Sequence, residues 1–186
     1  MARTPSNMIP LGSTAPNFTL PDTVSGQSLQ LSDVRGEKGT LIAFICNHCP
    51  FVKHINAGLV ELAKDYQEQG FGFVAISSND VVNYPEDHPD LMNQTAKEEG
   101  YTFPYLYDQS QEVAKAYDAA CTPDFYVFDA QDALTYRGQM DDSRPGNGLP
   151  VTGADLRAAL QAMLEGKTVS EDQKPSIGCN IKWKSA

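Results

Sequence analysis

The segment Cys46-Asn47-His48-Cys49 constrains this chain more than any other. It lies where an apolar run of strand character, Thr40-Leu41-Ile42-Ala43-Phe44-Ile45, meets a stretch of helical periodicity. A helix start offers unpaired N–H groups and the positive end of the macrodipole, so a thiol there is stabilised as thiolate, the nucleophilic form. A spacing of three residues puts the second sulfur on the same helix face. One thiol can then attack a disulfide while the other releases it by closing a ring. This reasoning predicts Cys46 at the exposed helix start, with the lower pKa, as nucleophile. Cys49, one turn beneath, is the resolving thiol.

Other uses of the four residues fit less well. A structural zinc site needs a second compact ligand pair, whereas Cys121, Cys179, His54 and His88 are scattered along the chain. Covalent haem attachment needs His after the second Cys, and Pro50 is there. The expectation is therefore no metal and no cofactor. With 186 residues, 41% hydrophobic and 20% charged, the chain can bury a core without disulfide staples. Its apolar runs are too short to span a bilayer, and Met1 to Gly12 shows no apolar leader, which predicts a reducing, cytoplasmic location. Thiols kept there are more often working groups than staples. The net charge of −10 argues against nucleic acid or an anionic membrane as partner.

Periodicity predicts alternating strands and helices. Asn17–Leu20 and Ser28–Leu31 read as short strands around Ser25-Gly26, and Leu31–Val34 as a helical turn capped by Ser32. Helical spacing of Val52, Ile55, Leu59, Leu62, Ala63 and Tyr66 predicts a helix over 51–69, stopped by Gly70. Strands follow over 71–77 and 103–107, helices over 89–99 and 109–119, and a hairpin over 124–129 and 134–138. A last helix spans 153–166. The expected fold is α/β, with a central mixed sheet flanked by helices, an N-terminal β-hairpin extension and a C-terminal tail. Residues 1–14 read as an arm, 15–167 as one domain and 168–186 as the tail.

The element order, the thiol pair between the first main strand and helix, and Thr122-Pro123 just before a strand resemble the thioredoxin fold. The opening Gly12-Ser13-Thr14-Ala15-Pro16-Asn17-Phe18-Thr19-Leu20, then Gly26 and Leu31-Ser32-Asp33, resembles the AhpC/TSA (redoxin) branch over roughly Leu11 to Lys167. The resemblance implies that Thr122 and Pro123 bind substrate. Pro123 would be a cis-proline against the thiol pair, leaving neighbouring backbone groups open to pair with an extended substrate chain. Peroxiredoxins of this branch resemble one another in Pro-x-x-x-Thr-x-x-Cys. Aligned on Cys49, this chain has Ile42 and Cys46 at the Pro and Thr positions, so that peroxide pocket is not visible. Thr40 replaces the buried Asp of thioredoxin, which leaves Lys53, His54 or water to carry the resolving thiol's proton.

His48 resembles the His before the second Cys in protein disulfide isomerase and DsbA. A donor there favours the thiolate, so the reduction potential is expected above the thioredoxin end of a range from about −270 to about −120 mV. Cys121, beside Thr122-Pro123, and Cys179, in a tail holding Ile181 and Trp183, are accessory thiols. The tail is expected to dock with Cys179 near the pair. The loop Asp141-Asp142-Ser143-Arg144-Pro145-Gly146 would border the pair. The implied function is thiol-disulfide oxidoreductase, acting on a protein or small-molecule disulfide and reduced by a thioredoxin or glutathione system. A thiol peroxidase acting on peroxide is one alternative. A metal-binding or redox-sensing module using Cys46, Cys49, His48 and Cys179 is another.

Overall fold

In the computed structural model, which describes residues 3–185, the chain folds around β4 (Gly39–Phe44). Every residue of β4 is buried. Leu41, Ala43 and the following Ile45 enter one hydrophobic cluster, while Ile42 and Phe44 enter the other. A strand covered on both faces reads as a continuous apolar run, which is how it appears in the sequence. β5 (Phe71–Ser77) pairs parallel with β4, and β6 (Tyr105–Tyr107) parallel with β5. On the other side β8 (Asp124–Phe128) pairs antiparallel with β4, and β9 (Leu134–Gly138) with β8. The order β6-β5-β4-β8-β9 is thus a mixed central sheet.

α2 (Pro50–Gln67) starts at a proline whose missing N–H costs nothing at N1, and buries Val52, Ile55, Leu59, Leu62 and Tyr66 on one face of the sheet. α5 (Ala154–Leu164) adds Leu156, Ala159 and Leu160 to the same cluster. α3 (Pro89–Glu99) is capped by the His88 side chain and stops at Gly100, whose φ of 74° suits a residue without Cβ. β2 (Thr19–Pro21) and β3 (Ser28–Gln30) form the N-terminal hairpin.

Several boundaries differ from expectation. The short α1 (Leu31–Val34) has Gln30, not Ser32, at its N-cap, where the Gln30 N–H donates to Asp33 Oδ2 at 2.8 Å in a capping box. The helix expected over 109–119 is α4 (Glu112–Ala116), because Gln111 takes a φ of 65° and its side chain turns into the core. The 103–107 strand keeps its last three residues as β6.

A second, small sheet has no counterpart in the periodicity. β1 (Arg3–Pro5), β10 (Ile177–Asn180) and β7 (Cys121–Thr122) align antiparallel in the order β1-β10-β7. The segments read as arm and tail therefore meet beside the thiol pair.

Candidate active site

The loop from β4 to α2 carries Cys46 and His48 and ends at Cys49, which is the N-cap of α2. Both thiols are buried, at 1% and 0% exposure. All four cysteines of the chain are reduced and buried. Cys49, not Cys46, thus occupies the helix start. Its pKa is lowered from an ordinary 9.0 to about 5, first by the Cys46 thiol hydrogen-bonded to it, then by the Cys179 thiol and the backbone N–H groups of Val52 and Cys179, against the opposing effect of burial. Cys46 is raised, because its hydrogen bond to Cys49, its burial and the nearby Asp87 carboxylate all favour the neutral thiol. The expectation that Cys46 has the lower pKa is corrected accordingly. The first proton lost by this coupled pair leaves Cys49.

Asp87, invisible to the sequence reading, organises the loop. It ends a 3₁₀ turn, Pro85–Asp87, and is fully buried. Its Oδ1 accepts the backbone N–H groups of Asn47 at 2.8 Å and His48 at 3.2 Å, and its Oδ2 accepts Asn79 Nδ2 at 2.8 Å. His48 Nδ1 lies 2.6 Å from the same Oδ2 but 3.9 Å from Cys46 Sγ. The His48 proton therefore serves Asp87 first, and that bond raises the His48 pKa while helping to lower that of Asp87. Tyr84 stacks on the His48 ring at 5.6 Å, and Lys182 Nζ sits 5.5 Å from the centre of the Tyr84 ring. A carboxylate satisfied by three residues ahead of α3 is a long-range arrangement. The only local sign was an acidic residue before a helix start.

The remaining residues singled out from the sequence converge unevenly. Thr122 Oγ1 is 3.4 Å from Cys46 Sγ, and the Thr122 carbonyl is 3.2 Å from Cys49 Sγ. The Thr122–Pro123 bond is cis. Cys179 Sγ lies 2.8 Å from Cys49 Sγ, and its own pKa is pushed up to about 12, mainly by burial. Cys121 is buried with its thiol 3.7 Å from the Pro123 carbonyl, and burial pushes its pKa up as well. The backbone of Cys121 and Thr122 is not open to an extended substrate, contrary to expectation: β10 pairs with it, Cys179 opposite Thr122 and Asn180 opposite Cys121. The 141–146 loop lines a small cavity with Phe51 and Pro123 through Asp141, Ser143 and Arg144, and neither Cys46 nor Cys49 is among the residues lining it. His54 Nε2 lies 2.7 Å from Ser143 Oγ. Cys46, His48 and Asp87 present ligand atoms within 4.8 Å of one another. Within that group His48 and Asp87 are already paired at 2.6 Å.

The AhpC/TSA family model matches residues 11–137. Thiol-disulfide oxidoreductase ResA of Geobacillus thermodenitrificans is 30% identical over 126 residues, covering 68% of this chain and 67% of that protein. The crystal structure of an uncharacterised conserved protein of Geobacillus kaustophilus shares 60% identity, with a TM-score of 0.98 over 100% of this chain and 98% of that one. The thioredoxin domain of a Bacteroides vulgatus thiol-disulfide oxidoreductase matches with a TM-score of 0.59 at 18% identity, over 73% and 90% of the two chains. The latter likeness concerns the fold, which is thioredoxin-like.

Proposed function

This chain belongs to the AhpC/TSA family, and we propose that it is a thiol-disulfide oxidoreductase whose Cys46 and Cys49 cycle between dithiol and disulfide. The observations that carry the reading are two buried thiols three residues apart at the entry to α2, Cys49 as its N-cap, both in contact with Thr122, with the Cys49 pKa lowered and that of Cys46 raised. One sulfur is activated and the other is held against it. The Cys49 thiolate attacks a sulfur of the substrate disulfide and expels one half as thiolate, which takes up a proton. Cys46, deprotonated as its bond to Cys49 is lost, attacks the Cys49 sulfur and expels the second half. The substrate gains two electrons and the protein holds a Cys46–Cys49 disulfide. A dithiol of the thioredoxin kind, or two molecules of glutathione, reverses the sequence in the reducing cytoplasm, and the reductant leaves as its own disulfide.

His48 and Asp87 set the charge beside the pair. Protonated His48 offsets the Asp87 carboxylate, which would otherwise oppose ionisation of the thiols.

Complete burial of Cys49 favours a second reading, peroxide reduction, since the smallest oxidants reach it most easily. There Cys49 thiolate attacks one peroxide oxygen, the O–O bond breaks and the other oxygen leaves as hydroxide that is protonated to water; Cys46 then attacks the resulting sulfenic acid sulfur and expels its oxygen as a second water to give the same disulfide. Fully reduced protein incubated separately with hydroxyethyl disulfide and with hydrogen peroxide distinguishes the two. The proposal expects one equivalent of the disulfide reduced per chain, with Cys46 linked to Cys49. Peroxide consumption without disulfide reduction overturns it.

A further inference from the structure

β10 occupies the backbone edge of Cys121 and Thr122 beside the thiol pair, and it carries a thiol. Cys179 pairs in register with Thr122, the residue touching both Cys46 and Cys49, and its Sγ stands 2.8 Å from Cys49 Sγ. The strand is fixed along its length. Upstream, Ser176 Oγ donates to the Pro123 carbonyl at 2.5 Å; downstream, the Ile181 N–H donates to the Ala120 carbonyl at 3.1 Å and the Lys182 N–H to Asn79 Oδ1 at 2.8 Å. β1 covers its other edge. Gly178 permits the close approach: a Cβ there would stand 1.9 Å from the Thr122 carbonyl oxygen and 2.6 Å from its carbon, inside any real contact. The glycine beside Cys179 is thus what lets this strand press against the backbone under the thiol pair.

We propose that β10 is a built-in occupant of the substrate edge, presenting Cys179 to Cys49 as partner in a second, alternative disulfide and restricting the site to compact low-molecular-weight disulfides in place of extended polypeptides. The inference rests on the thiol-disulfide reading above and adds its substrate class and a third working thiol. An extended peptide gains affinity by main-chain pairing with an exposed strand edge; here the edge at Cys121 and Thr122 is already paired. A compact disulfide needs no such edge. When Cys49 thiolate attacks it, the first half leaves as thiolate and takes up the Cys179 proton. Cys179 then attacks the Cys49 sulfur, the bond to the second half breaks, and that half departs as thiolate. Two protein thiols are oxidised and one substrate disulfide becomes two thiols. Cys46 competes with Cys179 for the same Cys49 sulfur, and attack of Cys46 on a Cys49–Cys179 bond would form Cys46–Cys49 and return Cys179 to the thiol.

Cys46→Ser removes the competitor and keeps a hydroxyl in its place. Treated with hydroxyethyl disulfide and mapped by mass spectrometry, this full-length variant is expected to hold an internal Cys49–Cys179 link. A lasting mercaptoethanol adduct on Cys49, with Cys179 still open to alkylation after unfolding, overturns the proposal. In Gly178→Ala, combined with Cys46→Ser, closure of that link should slow about 10- to 100-fold as the two sulfurs lose alignment; an unchanged rate overturns the role given to the strand. Should alanine prevent folding, the wild-type protein decides the substrate class by itself: it should reduce hydroxyethyl disulfide and leave insulin intact, and equal rates on both overturn the restriction. Formation of Cys46–Cys49 in the wild type is read separately. Its absence sinks the proposed function, whereas its presence without any Cys49–Cys179 link in Cys46→Ser sinks only this inference.

Discussion

Replacing Cys46 by alanine should raise the pKa of Cys49, and the structure sets the size of the change. Cys49 sits near 5 instead of 9.0, and the Cys46 thiol is the largest cause. A hydrogen bond to a charged group contributes about 1.5–3 kcal/mol, and one pKa unit corresponds to about 1.4 kcal/mol, so loss of this donor should move Cys49 up by about 1–2 units. The Cys179 thiol and the Val52 and Cys179 N–H groups remain, which keeps the value below that of an ordinary thiol. Cys46→Ser retains a donor and should stay close to wild type. Ultraviolet thiolate absorbance across a pH titration reads all three proteins, and rapid alkylation with peptide mapping identifies the ionised residue. An alanine variant that titrates like wild type would refute the assignment of Cys46 as donor. First labelling of Cys46 in the wild type would refute the assignment of the thiolate itself.

Further outcomes follow from the His48–Asp87 pair and the thiol cluster. Asp87→Asn should return the His48 imidazole from its raised value to 6.5 or lower, as read by NMR titration. It should also cost about 2–3 kcal/mol in urea unfolding, below the roughly 3–5 kcal/mol of a fully buried pair because the His48 side chain is 15% exposed. The raised His48 pKa stabilises fully below 6.5 and fades as pH rises through the folded value, while the depressed Asp87 pKa stabilises fully above 3.8 and fades as pH falls through its folded value. The stability difference between wild type and Asp87→Asn should therefore be greatest between pH 3.8 and 6.5, and a difference that grows above that window contradicts the pairing. His48→Ala leaves Asp87 uncompensated beside the thiols and should lower the reduction potential by the order of 30 mV, whereas Asp87→Asn removes both charges at neutral pH and should shift it less; an Asp87→Asn shift as large and as negative in glutathione equilibration contradicts the offset of the two charges. Protein purified without chelator should hold well under one equivalent of zinc per chain, and a full equivalent lost on thiol alkylation would argue for the metal-binding alternative.

The central sheet was legible because burial leaves a periodic mark. β4, β5 and α2 could be read from apolar runs and from a helical stripe ending before Gly70, and the thiol pair from its place between them. What was hidden depends on pairing between distant segments. Residues 121–122 and 177–180 are too short and too mixed to announce strands, and they become strands by lining up with each other and with residues 3–5. Asp87 could be read only as a charge before a helix, since its partners Asn47, His48 and Asn79 come from two other loops. The order of the thiol pKa values differs from expectation for a local reason. The helix was expected to begin at Cys46, but Asn47 and His48 are held out of it by Asp87 and by the Asn47 side-chain bond to the Glu86 carbonyl at 2.9 Å, and Pro50 starts the helix one residue after Cys49. Cys179 announced itself only through the apolar company of Ile181 and Trp183.

The most direct test of the central claim is the wild-type protein equilibrated across a series of reduced-to-oxidised glutathione ratios, quenched with acid and mapped for each disulfide. The account predicts one two-electron transition in which Cys46–Cys49 is the dominant linkage, at a potential above the roughly −270 mV of thioredoxin. A chain that acquires only glutathione adducts, or that leaves Cys46 and Cys49 unlinked at every ratio, contradicts it.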